Sequence, residues 1–172
     1  KVALQAAMSL MNSKRYYAVK EQAHIDELTG LLNRRSFNEC LTGEINRGTR
    51  HGGVFSLIIL DIDSFKTLND KYGHPAGDDV LQQTGNSIKS SIRSIDQAFR
   101  YGGDEFAIIL PNTLTSDAYL VAKRIQTEIA SSVKTRGKHI TVSVGLSTWP
   151  ANGMKIDEII TAADIALYRA KK

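Results

Sequence analysis

The spacing of hydrophobic and polar residues along the chain predicts an alternation of helices and strands. Phe37, Leu41 and Ile45 stand four residues apart, which is typical of a helix. Residues 55–60 form a continuous apolar run of strand length, which favours a strand buried on both faces. On the same grounds we predict helices at 1–23, at 33–47, from 77 onward, at 116–132 and at 157–171, and strands at 55–60, on both sides of 102–103 and at 140–147.

From residue 55 onward these elements follow the order β-α-β-β-α-β, which is the split βαβ arrangement of ferredoxin-like folds. We therefore expect an α+β domain with a mainly antiparallel central sheet flanked by helices, and we expect the helices to cover one face. Residues 24–172 would form this domain, and residues 1–23 would form a separate N-terminal helix. Leu4, Met8 and Met11 approach a coiled-coil seam there, which favours dimerisation or signal transmission; packing on the domain is the alternative.

Composition and charge narrow the possible functions. The chain has 22 basic and 18 acidic residues, and a net charge of +4 suits a phosphate-rich ligand but does not indicate nucleic-acid binding. Cys40 is the only cysteine, which excludes an internal disulfide. No stretch is apolar enough to span a bilayer and no signal peptide is visible, so we expect a cytoplasmic fragment without membrane contact. Because the chain begins with Lys1, we expect a sensory domain or a membrane anchor to precede it in the full-length protein.

The run from Arg100 to Phe106 carries the strongest chemical signal in the chain. Apolar residues flank it, and its two glycines supply the backbone freedom that a tight turn between two strands needs. Asp104 and Glu105 would then lie side by side at the tip of a hairpin. Two adjacent carboxylates repel each other, and a divalent cation such as Mg²⁺ removes that repulsion. A plain solvent-exposed hairpin is the alternative.

Asp61 and Asp63 form a second acidic pair, which alternates around Ile62 at the end of the apolar run. Acidic residues that emerge from a buried strand are well placed to bind a metal. The alternative is that Asp61 only ends the strand and Asp63 caps the next turn. Taken with the acidic hairpin, the pair favours a metal site.

Five sequence blocks resemble, in the same order, those of the GGDEF domain, the catalytic domain of diguanylate cyclases. They are DELTGLLNRR at 26–35, DIDSFKTLND at 61–70, YGHPAGD at 72–78, GGDEF at 102–106 and AADIALYRAK at 162–171. The resemblance covers residues 24–172 and implies the palm-type GGDEF variant of the ferredoxin-like fold. It also implies that two GTP molecules are condensed into cyclic di-GMP with release of two pyrophosphates. Since each domain would hold one GTP, the resemblance implies a head-to-head homodimer.

The resemblance assigns metal and catalytic roles to individual residues. Asp61, the backbone carbonyl of Ile62, Asp104 and Glu105 would bind Mg²⁺, or Mn²⁺ in its place. Asp104 would serve as ligand and base together, because a metal beside the attacking 3′-hydroxyl lowers the pKa of that hydroxyl. Asp63 is expected to support the site without binding the ion.

The resemblance also assigns the phosphate contacts. The backbone N–H groups of Ser64 and Phe65 would bind the β- and γ-phosphates at a helix start, where anions are favoured. Lys66 would be catalytic, balancing negative charge during phosphoryl transfer, and Lys171 would contact the terminal phosphates. The alternative for Lys66 is an ordinary surface lysine.

Asn69 and Asp78 would recognise guanine, again by resemblance. The guanine edge presents two donors beside one acceptor, and a carboxylate accepts from donors while an amide does both. Adenine would leave the carboxylate facing an acceptor, so we expect strong discrimination. Asp78 has the alternative of an acid at the start of a helix, and His74, which would contact the substrate, has the alternative of holding loop backbone.

Arg93 and Asp96 resemble the RxxD product-inhibition site of the family. Five residues separate Asp96 from Gly102, which is the usual spacing. Arg93 would bind phosphate or guanine, Asp96 would accept from guanine N–H groups, and Arg124 would contribute from the same or a neighbouring domain. The alternative is a surface Arg–Asp pair.

Two other functions stay open at this point. One is a domain that only binds GTP or cyclic di-GMP and passes on a signal, although such domains usually lose acids that this sequence keeps. The other is a palm-like cyclase that acts on a single nucleoside triphosphate.

Overall fold

The computed structural model describes residues 24–172, so the helix predicted at 1–23 lies outside the described residues. The helices of the described part are α1 (Arg34–His51), α2 (Phe65–Tyr72), α3 (His74–Ser91), α4 (Thr115–Ser132) and α5 (Ile156–Ala170). The strands are β1 (Phe55–Ile62), β2 (Gln97–Arg100), β3 (Glu105–Pro111), β4 (Lys134–Thr135), β5 (Lys138–His139) and β6 (Val142–Trp149).

Strand β1 lies inside a four-stranded sheet with the order β2-β3-β1-β6, and every neighbouring pair is antiparallel. This confirms the ferredoxin-like α+β fold. The apolar run explains the inner position of β1, since Leu57, Ile58 and Ile59 are completely buried. Strands β4 and β5, which the sequence pattern did not predict, form a separate two-stranded sheet.

Helices cover both faces of the sheet, so the expectation of a single covered face is wrong. Ile58 and Leu60 belong to a hydrophobic cluster that includes residues of α2, α3 and α4. Leu57 and Ile59 belong to a second cluster with residues of α1 and α5. Because successive side chains of a strand point to opposite faces, burying a continuous apolar run requires helices on both sides.

Local signals set the helix ends. Asn33 caps α1, and its side chain accepts from the backbone N–H of Ser36 at 3.1 Å. Helix α3 begins at His74 rather than at the predicted residue 77, with Pro75 in its first turn, where the fixed φ of proline suits a helix. Among residues 24–172 there is no helix with the length and apolar character needed to cross a membrane.

Candidate active site

Two neighbouring strands bring acids from separate sequence blocks to one end of the sheet. In the pairing of β1 with β3, Asp61 lies directly opposite Glu105. The backbone N–H of Ile62 donates to the carbonyl of Asp104 at 3.2 Å, which holds the turn after β2 against the end of β1. The residues predicted to bind a metal are therefore neighbours.

The carboxyl groups of this cluster repel one another and are partly shielded from water. Burial raises the pKa of Asp61, although the hydrogen bond from Lys171 acts in the opposite direction. Burial also raises the pKa of Glu105, and the charges of Asp61, Asp104 and Asp164 add to the rise. Lys171 follows α5 and places its Nζ 2.9 Å from Oδ1 of Asp61. One ammonium group therefore offsets only part of the negative charge.

The donor set fits a divalent cation by its chemistry. Asp61, Asp104 and Glu105 offer carboxylate oxygens, which are the ligands that Mg²⁺ prefers. Within the described part of the chain, no group of three or more His, Cys, Asp or Glu side chains is already arranged around a common ion position. Lys171 occupies Oδ1 of Asp61, and no ion pair to the other oxygen of that carboxylate is seen among the described residues.

Asp63 is hydrogen-bonded to β6 and to the residue before it. Its Oδ2 accepts from the hydroxyl of Thr141 at 2.6 Å, and its Oδ1 accepts from the hydroxyl of Ser143 at 2.7 Å. Helix α2 has Ser64 at its N-cap and no side-chain capping bond, so Asp63 does not cap the next turn. Both oxygens of Asp63 are engaged, which supports the prediction that it stays outside the metal set.

Residues 101–104 connect β2 to β3, and we call them the signature turn; its two glycines differ in their surroundings. A Cβ at Gly102 would lie 2.7 Å from Oε2 of Glu105, whereas a Cβ at Gly103 would meet nothing within 4 Å. Neither residue adopts a left-handed φ. The φ angles therefore do not require the backbone freedom that the sequence suggested, and a Cβ at Gly102 would displace only the end of the flexible Glu105 side chain.

An open cavity of about 410 Å³ adjoins the acids. Its lining residues are Asp61, Asp63, Ser64, Ser143, Ala170 and Lys171. The N-terminus of α2 lies at this cavity, because Ser64 directly precedes the first helical residue, Phe65. A helix N-terminus favours anions, and Lys171 adds a positive charge, so the cavity suits phosphate groups. Lys66 is exposed on α2.

Asn69 is a residue of α2, and its side chain packs against Gly77 of α3. Its Oδ1 is buried and has no hydrogen-bond partner among the described residues. A Cβ at Gly77 would lie only 2.0 Å from this oxygen, so the close contact between the two helices requires glycine at 77. A buried acceptor without a partner costs roughly 1–3 kcal/mol, which makes Oδ1 of Asn69 a candidate ligand contact.

His74 and Asp78 are exposed on α3, one turn apart. The first turn of α3 contains no acidic residue, so the alternative interpretation of Asp78 as a helix cap or first-turn acid is wrong. His74 is the first residue of the helix rather than a loop residue. Because they are four residues apart, these two exposed side chains lie on the same side of α3.

Arg93 and Asp96 lie before β2, at the opposite end of that strand from the signature turn. The backbone N–H, Nε and Nη2 of Arg93 donate to the carboxylate of Asp96 at 2.8, 3.2 and 3.0 Å. The side chain of Asp96 is 0% exposed and that of Arg93 is 50% exposed, so a simple surface pair does not describe them. Arg124 is nearby in the same chain, and its Nε donates to the carbonyl of Ser91 at 2.8 Å.

Sequence reasoning missed three polar residues of the site. Asp164 is on α5; burial raises its pKa, and its charge raises that of Glu105. Its place in the block at 162–171 was the available signal. Thr141 and Ser143 hold Asp63, and nothing in their local pattern distinguished them from other hydroxyl residues of a strand.

The sheet order, the carboxylate cluster and the adjoining cavity define a palm-type α+β domain with an open cavity beside its acids. The model of the family described as diguanylate cyclase, GGDEF domain, matches residues 23–172, and the chain belongs to this family.

Named relatives support this assignment. Diguanylate cyclase DgcS of Shewanella oneidensis is 40% identical over 162 residues, which cover 94% of this chain and 54% of DgcS. The GGDEF domain of DgcB from Caulobacter crescentus, solved in complex with c-di-GMP, has a TM-score of 0.80 and 34% identity, covering 87% of this chain and 88% of that one. Diguanylate cyclase SiaD from Pseudomonas aeruginosa, solved with its activator SiaC, has a TM-score of 0.81 and 34% identity, covering 99% of this chain and 66% of that one. This chain thus spans about half the length of DgcS.

Proposed function

We propose that this domain is a diguanylate cyclase that condenses two GTP molecules into cyclic di-GMP and two pyrophosphates. The observation that carries the proposal is the β1–β3 register, which sets Asp61 opposite Glu105 beside Lys171 and the cavity. Membership of the diguanylate cyclase GGDEF family supports it.

Asp61, the carbonyl of Ile62, Asp104 and Glu105 would hold Mg²⁺, with Mn²⁺ as an alternative. When bound there, the ion would lower the pKa of the attacking 3′-hydroxyl and offset phosphate charge. The excess of acidic groups that Lys171 only partly balances is the physical reason to expect a cation at this position.

Lys171 would change partner when the ion and GTP bind. In the free domain its ammonium group pairs with Asp61 at the wall of the cavity. Once Asp61 is shared with a cation, Nζ would contact the terminal phosphates of GTP. The backbone N–H groups of Ser64 and Phe65, at the N-terminus of α2, would bind the same phosphates. Lys66 would balance the charge that develops during transfer.

Asn69 and Asp78 would select guanine. The unpartnered Oδ1 of Asn69 would accept from a guanine donor, and the exposed carboxylate of Asp78 would accept from N1–H and the N2 amino group. Adenine presents an acceptor at N1, so it would leave Asp78 without a donor. His74, at the start of α3, would contact the substrate from the same side.

A single domain cannot complete the reaction in this proposal. The 3′-hydroxyl of one GTP must approach the α-phosphorus of the other in line with the departing pyrophosphate. Two domains would therefore meet head to head as a homodimer. Residues 1–23, which precede the described part, would assist dimerisation or pass on the signal of an upstream sensory domain.

Arg93, Asp96 and Arg124 would form the product-inhibition site. Asp96 is buried and already accepts three N–H groups of Arg93. Its place supports a role in orienting Arg93, rather than the direct guanine contact that the sequence suggested. The half-exposed guanidinium of Arg93 would then bind the phosphate or guanine of cyclic di-GMP.

Product analysis tests the proposal. The purified chain is incubated with GTP and Mg²⁺, and nucleotides and pyrophosphate are separated by chromatography, with Asp104→Asn as the matched control. Formation of cyclic di-GMP and pyrophosphate in the parent alone supports the proposal. A cyclic mononucleotide would favour the single-triphosphate cyclase, and bound nucleotide without turnover would favour the binding-only domain.

A further inference from the structure

Arg100 connects two segments that lie 74 positions apart in the chain. Its Nη1 contacts Oδ1 and Oδ2 of Asp26 at 3.3 and 3.1 Å. Its Nε and Nη2 donate to the backbone carbonyl of Gly103 at 3.3 and 3.0 Å. One planar guanidinium thus holds a carboxylate with one nitrogen and a carbonyl of the signature turn with the other two, which only an arginine fork can do.

Asp26 is itself held firmly by its own turn, which we call the entry turn (residues 26–31). Oδ1 of Asp26 accepts from the backbone N–H and the hydroxyl of Thr29 at 2.9 and 2.8 Å. The backbone N–H of Asp26 donates to Leu31, and that of Gly30 donates back to Asp26, both at 2.8 Å. Arg100 therefore contacts a carboxylate whose position is set by the entry turn.

The backbone joins the same two regions. The N–H of Leu32 donates to the carbonyl of Ala98 at 3.1 Å, and the N–H of Arg100 donates to the carbonyl of Leu32 at 2.7 Å. The side chains of Arg100 and Asp26 are 20% and 22% exposed, so the pair is better shielded from water than an ordinary surface ion pair.

The signature turn transmits this restraint to the acids. The N–H groups of Tyr101 and Gly102 both donate to the carbonyl of Glu105, at 2.9 and 3.1 Å, which closes the turn. Gly103 lies inside this closed turn and directly precedes Asp104. The Gly103 carbonyl and the backbone N–H of Asp104 belong to the same peptide group. A shift of this carbonyl therefore also moves the backbone of Asp104.

We propose that Arg100 is a positioning residue: by binding Asp26 of the entry turn and the carbonyl of Gly103, it fixes the position of the catalytic acids. A displacement of Asp26 then reaches Asp104 through Arg100 and the Gly103 carbonyl. This inference rests on the proposed cyclase function, because it assigns Arg100 a role in placing the acids of that site.

The kinetic test compares Arg100→Lys with the parent, and uses Arg35→Lys, which alters an exposed Arg–Glu pair on α1, as the matched control. Lysine keeps the charge but cannot donate to Asp26 and Gly103 together. We expect kcat to fall about tenfold or more, since small misplacement of reacting groups is costly. The KM for GTP should stay within about twofold, because the groups that bind GTP are unchanged. An unchanged kcat in an active parent background would overturn the inference.

A second measurement does not depend on activity. The backbone amide of Asp104 shares its peptide group with the Gly103 carbonyl, so its NMR resonance reports on the Arg100 contact. Asp26→Asn should shift this resonance in the metal-free domain, and should no longer shift it in the Arg100→Lys background. Thermal unfolding of each variant confirms that it is folded.

The two measurements separate the possible failures. If the parent makes no cyclic di-GMP, the proposed function is overturned, and the NMR comparison alone decides the coupling. If Asp26→Asn shifts the Asp104 amide equally with and without Arg100, the coupling does not pass through Arg100 and the inference is wrong.

Discussion

Replacing Glu105 with glutamine should stabilise the metal-free domain and abolish turnover. Glu105 lies directly opposite Asp61 in the β1–β3 pairing. Burial raises the pKa of Glu105, and the charges of Asp61 and Asp104 raise it further. Glutamine keeps the shape of the side chain and removes its charge, so the repulsion disappears without leaving a cavity.

The magnitude follows from the strand pairing. Directly opposed side chains contribute roughly 0.2–1 kcal/mol, and like charges in that position are destabilising. We therefore expect Glu105→Gln to raise the free energy of unfolding by about 0.5–1 kcal/mol at neutral pH. For a domain of this size the corresponding rise in Tm is about 1–4 °C.

The gain should depend on pH with a defined sign. The pKa of Glu105 in the folded state lies above its ordinary value of 4.5, so its ionisation is harder in the folded than in the unfolded protein. The penalty is complete above the raised pKa and is lost as the pH falls below 4.5, where both states are protonated. The advantage of glutamine should therefore be present at neutral pH and vanish in acid.

Thermal unfolding in EDTA, at neutral and at acidic pH, measures this effect. Glu27→Gln is the matched control, because Glu27 is exposed and lies outside the acidic cluster. Addition of Mg²⁺ should raise the Tm of the parent and of Glu27→Gln more than that of Glu105→Gln. The reasoning is refuted if Glu105→Gln is less stable than the parent in EDTA at neutral pH, or if Mg²⁺ stabilises all three proteins alike.

Three further substitutions test separate parts of the structure. Asp78→Ala should lower kcat/KM for GTP about tenfold to a hundredfold, since a hydrogen bond to a charged group is worth roughly 1.5–3 kcal/mol, while ATP is affected little; an unchanged GTP-to-ATP ratio would contradict the base-recognition role. Arg93→Ala should abolish inhibition by added cyclic di-GMP in progress curves, and equal inhibition of parent and variant would rule out this site. Gly145→Ala should destabilise the domain by at least about 1–3 kcal/mol, because the added Cβ would lie 2.0 Å from the carbonyl oxygen of Ala163. Gly43→Ala is the control, since a Cβ there would meet nothing within 4 Å and should not destabilise the domain. Equal Tm values for the two variants would contradict this packing.

The sequence pattern predicted most elements of the fold because each depends on residues close together in the chain. The four-residue spacing around Phe37 and the apolar run at 55–60 both correspond to observed elements. The expectation that helices cover only one face of the sheet was wrong, although the continuous apolar run of β1 already required helices on both faces. The β4–β5 pair was missed because strands of two residues are too short to produce a pattern.

The candidate site was predictable only as a set of segments. The acidic pairs at 61–63 and 104–105 stood out by their own composition and by their resemblance to GGDEF blocks. Their partners did not: Lys171 on Asp61, the two hydroxyl groups on Asp63, and the burial of Asp96 under Arg93 all join residues by contacts that local pattern does not show.

The sequence by itself determined the family, the identity of the acids and the order of the elements, because these follow from residue types and short spacings. Only the tertiary structure decided that Asp61 faces Glu105 and that Arg100 joins Asp26 to the signature turn. Such contacts depend on which strands pair, in which register and how helices close over them. Those choices are made by the burial of the whole core and by hydrogen bonds between distant segments, which no local window of residues contains.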